Sequence, residues 1–348
     1  MKPRVSLLPA IALLCAAHTV AAASLNVRDA VKQSASWFAS ATGREVVANV
    51  LSHQSSRGDW PKNLNTAATR FDGDPARIRG TFDNGATTGE LRLLARAFNV
   101  TKDAAVRDAF LKGLNHILAA QYPTGGWPQY APPPANSYHR HITFNDHTMV
   151  RLLEFLCDVA TQRDFAFVET GLKAAARQAF VRGVECIVNS QVRVEGSLTV
   201  WCAQHDEVTL EPRPARSYEL VSLSGSESAG LLQFLMSLDE PSPAVIRAVH
   251  AGAAWFETAR LKGVREVRIE GDKRMIDDPA APPLWARFHE IETNRPIYSG
   301  RDGVKRYDIA EIEAERRNGY AWHGGWGTVV QQDYQGWKEH WPMPPEQP

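Results

Sequence analysis

A pattern of apolar and polar positions recurs three times along the chain. In each copy an apolar stretch with helical spacing ends at a glutamine, and a glycine-containing turn then leads to a tryptophan. The copies occupy residues 50–63, 117–130 and 187–201. Their glutamines, 67 and 70 residues apart, are Gln54, Gln121 and Gln191. These intervals exceed solenoid modules of about 20–50 residues but accommodate a helix, a loop and a second helix. The pattern predicts a threefold repeat of helical hairpins.

Each copy is followed by a second predicted helix. These helices cover residues 86–98, 145–160 and 224–238. All three contain a Leu-Leu pair with an aromatic residue a few positions later, the spacing of a helix buried on one face. Their polar starts are typical of helix N-termini, which present free N–H groups and a positive dipole end. Three such starts facing one cleft would form an anion site.

Long polar segments connect the predicted helices. They span residues 61–86, 123–145 and 201–225 and are rich in Gly, Pro, Asn and Asp. Loops of this length inside a domain usually carry function. We therefore predict a mainly α protein, an α/α toroid of about three helical hairpins with long loops and a few short strands. An open helical bundle satisfies the same periodicity.

Residues 1–23 have the features of a secretory signal peptide. A short basic start precedes an apolar run, and small residues suited to cleavage follow at 21–23. The alternative is an N-terminal anchor. We expect residues 24–348 to form a single domain that is secreted or periplasmic. Since no later stretch of about 18 apolar residues occurs, we expect no membrane partner.

Composition narrows the choice of partner. The chain has 39 basic and 39 acidic residues, so its overall charge gives no reason to expect nucleic acid or a membrane surface. Cys157, Cys186 and Cys202 lack metal-site spacing and are expected to be buried, inert thiols. The ten tryptophans lie mostly in loops, where they either stack against sugar rings or pack beneath the loops. We expect a monomer.

Two similar strings precede equivalent predicted helices. TFDN contains Asp83 and Asn84, and TFND contains Asn145 and Asp146. In a pseudo-symmetric ring the acids could face each other and bind a hard cation such as Ca²⁺ through oxygen ligands. The alternatives are plain helix N-caps or the paired carboxylates of an inverting glycosidase.

Histidines and basic residues cluster in the loops. His139, His141 and His147 lack a convincing set of further ligands for zinc, and we expect them to line a polar cleft. The loop cations, which suit the forked binding of carboxylates, include Arg57, Lys62, Arg213, Arg216, Arg287, Arg295, Arg301, Lys305 and Arg306. With the loop tryptophans and a calcium site, they favour a polyanionic sugar over a neutral glycan.

At these residues the chain resembles family 10 polysaccharide lyases, the pectate lyases of the α/α toroid type. The resemblance runs from about residue 45 to 327 and includes RGDWPKN (57–63), TFDNGATTGE (81–90), HITFNDHTM (141–149) and EPRPARSYELVSLSGSES (211–228). It implies cleavage of de-esterified polygalacturonate, an α-1,4-linked galacturonan of pectin, by calcium-assisted anti β-elimination.

The resemblance also implies roles for single residues. Arg216 would take the proton from C5, Asp83 would be an essential catalytic acid of the cleft, and Asp146 and Asp83 would be the calcium ligands. The same resemblance makes residues 24–348 a single catalytic domain. Arg287 and Arg301 would bind substrate carboxylates. The residues that it places in the cleft more loosely are Asn84, Lys62 and Lys305.

Two other function classes stay open on the residues alone. An inverting hydrolase could use Asp83 or Asp146 as base and Glu227 or Asp206 as acid. A secreted oligosaccharide-binding protein would need only the loop tryptophans. Because guanidinium holds its proton far above neutral pH, the residues alone would favour His205 or a lysine as the base.

Overall fold

The structure, a computed structural model, describes residues 25–345, and most of its regular structure is helical. The described α-helices are α1 Val27–Ala30, α2 Ala35–Ala39, α3 Ala41–Ser52, α4 Thr88–Thr101, α5 Ala104–Ala119, α6 Thr148–Thr161, α7 Thr170–Asn189, α8 Gly225–Met236, α9 Pro243–Thr258, α10 Ala314–Gly319 and α11 Trp326–His340. The mainly α prediction is confirmed. The predicted signal peptide lies outside the described residues.

The helices form two layers. Helices α4, α6 and α8 pack side by side, each against the helix that follows it in the chain: α4 against α5, α6 against α7 and α8 against α9. The second helices also pack in sequence, α5 against α7 and α7 against α9. Helix α11 covers α8 and α9. No helix in the described part of the chain is long and apolar enough to cross a membrane.

The three repeat glutamines make equivalent hydrogen bonds. The Gln54 side-chain amide donates to the carbonyl of Gly58 in its own turn and to Ala109 on α5, at 3.0 and 2.8 Å. Gln121 and Gln191 repeat this bridge one and two copies later, reaching carbonyls on α7 and α9. A buried amide that satisfies two carbonyls fixes each turn against the outer helix of the next hairpin. The predicted threefold repeat is therefore present in the hydrogen bonding.

The repeat tryptophans belong to the core. Trp60, Trp127 and Trp201 are fully buried, and each indole N–H donates to a carbonyl near the end of the preceding helix, at 2.7, 2.8 and 2.7 Å. Trp285 makes the same bond to Phe256 at 2.7 Å. A buried indole with a satisfied N–H packs beneath a loop and offers no face to a sugar. Stacking against a ligand is thus the wrong interpretation for these four side chains.

Short antiparallel strands tie the loops together. They are β1 Ile142–Thr143, β2 Arg193–Val194, β3 Ser197–Leu198, β4 Gln204–His205, β5 Pro212–Arg213, β6 Leu223–Ser224, β7 Val264–Ile269, β8 Asp272–Asp277, β9 Trp285–Ala286, β10 Phe288–His289, β11 Tyr298–Ser299, β12 Lys305–Arg306 and β13 His323–Gly324. Strands β1, β4 and β5 form one sheet in that order. The two-stranded pairs are β2–β3, β6–β10, β7–β8, β9–β13 and β11–β12.

The strand pairs bring remote loops to one end of the helices. Pairing of β6 with β10 aligns Ser224 with Phe288, so the 285–289 segment lies beside the start of α8. A second apolar cluster, which includes Phe288, Tyr298 and Trp322, packs beneath these loops. The three described cysteines are free thiols; Cys186 and Cys202 are buried as predicted, whereas Cys157 is only half-buried.

Candidate active site

Two short helical turns precede α4 and α6 and place the predicted acids. The turns Asp83–Gly85 and Asn145–His147 have the same shape, with a left-handed second residue at φ 54° and 51°. Asp83 is therefore equivalent to Asn145, and Asn84 to Asp146. The first position of each turn is buried and the second is more exposed. The two acids thus occupy different positions in their repeats.

Asp83 is a buried carboxylate whose two oxygens both accept hydrogen bonds. One oxygen accepts from Lys62 Nζ and, at 2.5 Å, from the Gln129 amide. The other accepts from the Asn84 backbone N–H at 2.9 Å. Burial opposes the charge of Lys62, but the bond to Asp83 and its negative charge outweigh this and raise the pKa of Lys62. Lys62 and Asp83 form a tight ion pair.

Asp146 is the most open acid of the site, with 44% of its side chain exposed. One oxygen accepts from the Asn145 amide at 2.7 Å, and Arg287 lies 3.9 Å from the other. Burial raises the pKa of this carboxyl, and the negative charges of Asp83 and Glu227 add to the effect. A carboxylate that is crowded by other acids and only weakly paired would be stabilised by an added cation.

Arg287 is nearly buried and contacts both Glu227 and Asn145. It pairs with Glu227, and it donates to the Asn145 side-chain oxygen at 3.3 Å. Its guanidinium lies 4.7 Å from the centre of the Tyr320 ring. Burial opposes its charge, but Glu227 outweighs the burial and raises the pKa of Arg287 further.

Arg216 lies in the loop before α8 and is held by Glu219. The Glu219 carboxylate accepts from Arg216 Nε at 2.8 Å, from Nη2 at 2.5 Å and from the Arg216 backbone N–H at 3.2 Å. Tyr320 donates its hydroxyl to the same carboxylate at 2.7 Å. Burial alone would lower the pKa of Arg216, but the hydrogen bonds and charge of Glu219 hold it above its ordinary value.

Aromatic rings separate the cations of this region. The Arg216 guanidinium lies 4.9 Å from the centre of the Tyr218 ring and 5.7 Å from that of the Tyr320 ring. Arg316 also contacts the Tyr218 ring, at 4.5 Å. Cation–π contacts of this length stabilise guanidinium groups that would otherwise repel each other. The Tyr320 ring lies 5.7 Å from Arg216 and 4.7 Å from Arg287, and Arg287 lies 3.9 Å from Asp146, so these residues form one cluster.

Tyr138 and His139 lie near the Lys62–Asp83 pair, because the His139 carbonyl accepts from the backbone N–H of Gln129, whose side chain bonds Asp83. Their rings stack with centres 4.1 Å apart. Burial raises the pKa of Tyr138, and the charges of Arg216, Glu219 and Lys62 also act on it. Burial lowers the pKa of His139, as do the charges of Arg79 and Lys62. His139 therefore lies on the Lys62 side of the site, in line with the predicted polar cleft.

The remaining predicted site residues have partners of their own. Asn84 is exposed and donates to Asn63 at 3.1 Å. Arg301 forms a forked pair with Glu315, with both nitrogen-to-oxygen distances at 2.9 Å. Lys305 pairs with Glu290 on the neighbouring loop. The Arg301 loop touches the Arg216 loop, because a Cβ on Gly303 would lie 3.4 Å from the Ser217 carbonyl oxygen.

A second group of metal-type ligands lies apart from this site. Side-chain atoms of His141, Asp206 and Glu207 lie within 4.8 Å of one another. Arg140 donates to Glu207 at 2.6 Å and Arg213 to Asp206 at 3.0 Å. Because each acid already has an arginine, this group has less need of a cation than Asp146 has.

Calcium is compatible with the residues around Asp146. Calcium takes oxygen ligands, and Asp146 has a half-exposed carboxylate beside amide and acid oxygens of the two turns. Asp83 fits less well as a direct ligand, because Lys62 and Gln129 share one of its oxygens. The donor set therefore suits a hard cation, with Asp146 as its principal acid.

Sequence reasoning missed two members of the site. Glu219 stands three residues after Arg216, a spacing that could have indicated a local ion pair. Tyr320 is 101 residues from Glu219, and nothing in the local sequence indicates that the two meet. His205, favoured on sequence alone, is fully buried with both ring nitrogens occupied, and burial lowers its pKa to about 4.

Comparisons with known proteins found a matching family and similar solved structures. A family model described as pectic acid lyase matches residues 54–331. The chain is similar to a family 10 polysaccharide lyase from Cellvibrio cellulosa, with 35% identity, a TM-score of 0.78 and coverage of 89% of this chain and 95% of that one. It is similar, with a TM-score of 0.77 and the same identity and coverage, to a mutant of the Cellvibrio lyase in complex with trigalacturonic acid. No curated protein matches.

Proposed function

The chain belongs to the pectic acid lyase family and is a family 10 polysaccharide lyase, and on that premise we propose that it cleaves de-esterified polygalacturonate by calcium-assisted anti β-elimination. The single observation that carries the proposal is the cluster around Arg287, which lies 3.9 Å from Asp146, pairs with Glu227 and shares the Tyr320 ring with Arg216. These groups combine a metal-type acid with cations suited to carboxylates. The trigalacturonic acid complex of the Cellvibrio protein supports the same substrate class.

Arg216 is the proposed base. It takes the C5 proton, the C4–O4 bond breaks, a C4=C5 double bond forms in the product, and O4 takes a proton from solvent. Glu219 occupies Nε and Nη2, and in the described part of the chain Nη1 has no hydrogen-bond partner. Nη1 is therefore the nitrogen that we assign to the proton transfer. Glu219, held by Tyr320, is a positioning residue that fixes the plane of the guanidinium.

The charge state of Arg216 sets the expected pH dependence. Glu219 raises the pKa of Arg216, so the neutral guanidine is a small fraction of the protein near neutral pH. The rate should therefore rise as the solution becomes alkaline.

The remaining residues bind substrate or hold the metal. Asp146, with Asp83 beside it, would hold the calcium ion, which when bound stabilises the charge that develops on the substrate carboxylate. Lys62 and Asn84 are proposed to contact the sugar near Asp83. Arg287 keeps Glu227 and Asn145 in place and is proposed to bind a substrate carboxylate beside Asp146. Arg301 and Lys305 would bind carboxylates further along the chain of sugars.

The wider organisation is also a proposal. The two helical layers support an α/α toroid, because three consecutive hairpins pack in sequence. Residues 24–348 would form one catalytic domain that acts as a monomer. The signal-like start of the sequence supports a secreted or periplasmic enzyme.

An inverting hydrolase is less well supported. Its acid would need a raised pKa, yet bonds from the Thr209 and Val208 backbone N–H groups and from Arg213 lower the pKa of Asp206 to about 2. Glu227 is buried and paired with Arg287. Neither group is arranged to deliver a proton to a leaving oxygen.

Replacement of Arg216 tests the proposal. Arg216→Ala should lower turnover of polygalacturonate by at least ~100-fold, the scale of a lost general base, while binding of trigalacturonate changes little. Arg216→Lys should recover part of the rate. Calorimetric binding and the ultraviolet absorbance of unsaturated product measure the two effects separately. Full turnover by Arg216→Ala would assign the base elsewhere.

A further inference from the structure

A cavity of about 610 Å³ lies beside the proposed active site. Helix α1, the 61–65 loop and the starts of α4 and α6 enclose it, and Lys62 and Asn84 line it as well as the site. Its volume falls within the roughly 300–1,000 Å³ of small-ligand sites. A sugar chain that leaves the site past Lys62 would reach this cavity next.

Arg151 contributes a positive charge to the wall of the cavity, which is of mixed charge because Glu90 and Glu154 also line it. Its only hydrogen bond among residues 25–345 is from Nη1 to the backbone carbonyl of Asp146, and it forms no ion pair with a carboxylate there. Its aliphatic stem passes close to Gly85, next to the Asp83 turn. Arg28 adds positive charge to the same wall, whereas Arg92 is paired with Asp158. A half-buried guanidinium bonded only to a carbonyl can accept a carboxylate ligand in a forked geometry.

Glu90 adds a buried polar atom that lacks a partner. It lines the cavity, is 5% exposed, and its Oε1 accepts from the Thr66 hydroxyl at 2.9 Å. Its Oε2 is buried with no hydrogen-bond partner in the described structure. A buried oxygen without a partner costs free energy that a ligand hydroxyl would recover. Burial also raises the pKa of Glu90 to about 7, so near neutral pH the group can either accept from or donate to a hydroxyl.

We propose that this cavity, hereafter the Arg151 cavity, is an additional subsite for one uronate unit of the substrate chain. The sugar carboxylate binds Arg151 and a sugar hydroxyl binds Glu90 Oε2. The proposal rests on the proposed function, because it takes its ligand from the galacturonate chain. It predicts that oligomers long enough to enter the cavity bind more tightly than short ones.

Variants of the two residues test the subsite on oligomers of different length. Arg151→Gln and Glu90→Gln should each lower kcat/KM for hexagalacturonate about tenfold, since one charge-assisted hydrogen bond is worth roughly a factor of ten. Both should leave kcat/KM unchanged for the shortest oligomer that the wild-type protein cleaves. Arg107→Gln on the outer helix α5, where Arg107 is exposed and does not line the cavity, is the matched control.

Arg151 also touches the Asp146 backbone, so the length dependence decides the outcome. Equal losses on short and long oligomers would mean that Arg151 acts only through Asp146, and would overturn the subsite. Glu90→Gln, which lacks that contact, must show the same length dependence, with an unchanged melting temperature.

Calorimetric binding of hexagalacturonate in chelator keeps this test separate from catalysis. If the wild-type protein forms no unsaturated product, the proposed function fails while the binding measurement still reports on the cavity. Wild-type affinity that is the same for trimer and hexamer would overturn the subsite directly.

Discussion

Substitution of Glu219 by Gln isolates the group that positions Arg216. The native carboxylate accepts from Arg216 Nε, Nη2 and backbone N–H, and from Tyr320. Gln keeps the shape, removes the charge and replaces one acceptor oxygen by an NH₂ group that repels the guanidinium. Glu219 is 3% exposed, so these hydrogen bonds are lost in a poorly solvated environment.

The expected loss of activity in Glu219→Gln follows from the hydrogen bonds that are lost. A hydrogen bond to a charged group contributes roughly 1.5–3 kcal/mol, and the 42% exposure of the Arg216 side chain places the loss near the lower end. A loss of about 1.5 kcal/mol in transition-state positioning lowers kcat about tenfold. KM should change less than about twofold, because Glu219 is not proposed to touch the substrate.

The pH profile gives a second readout with a definite sign. Glu219 holds the pKa of Arg216 above its ordinary value, so removing its charge lowers that pKa. Neutral guanidine then becomes available at lower pH, and the alkaline rise of kcat should shift toward neutral pH. A merely structural role for Glu219 would leave the position of this rise unchanged.

The assay is the initial rate of unsaturated-product formation across alkaline pH at saturating calcium. Glu211→Gln in the same loop is the matched control, because Glu211 accepts from Thr209 and does not contact Arg216. A folded Glu219→Gln protein with native kcat and an unshifted profile would refute the positioning role.

Two further predictions concern the metal and acid stability. Asp146→Asn should raise the calcium concentration for half-maximal activity at least ~10-fold, because it removes the one open carboxylate of the donor set; an unchanged calcium titration would place the ion elsewhere. Burial lowers the pKa of His205 and of His289 to about 4, so both are neutral when folded and take up protons first in the unfolded chain. Stability should therefore fall as pH drops from about 6.5 toward 4, and a melting temperature that stays constant from pH 7 to 5 would contradict this.

The sequence was sufficient for the repeat and for its internal contacts. The glutamine and the tryptophan recur in each copy because each copy has the same turn carbonyl to satisfy and the same helix end to cover, as Gln54 and Trp60 do in the first. These local requirements produce the repeat that is seen in the sequence. For the loop tryptophans the sequence left both stacking on sugars and packing beneath the loops open. An aromatic residue in a loop has the same pattern whether it faces solvent or the core, and only the tertiary packing separates the two.

The candidate site was less predictable than the fold. Similar strings around Asp83 and Asp146 indicated equivalent acids, but the backbone places one acid at the buried position of its turn and the other at the left-handed position. Arg287 gave no sign in the sequence of being buried against Glu227. Contacts such as Tyr320 to Glu219 join distant segments, and neither periodicity nor spacing encodes them.

The most direct measurement counts two products of one reaction. Polygalacturonate is incubated with the wild-type protein at alkaline pH with calcium, and ultraviolet absorbance and reducing ends are measured on the same samples, with a chelator-treated sample alongside. β-Elimination predicts one unsaturated uronide for each new reducing end, and no product of either kind in chelator. Reducing ends that appear without ultraviolet absorbance would show hydrolysis and contradict the proposed lyase reaction.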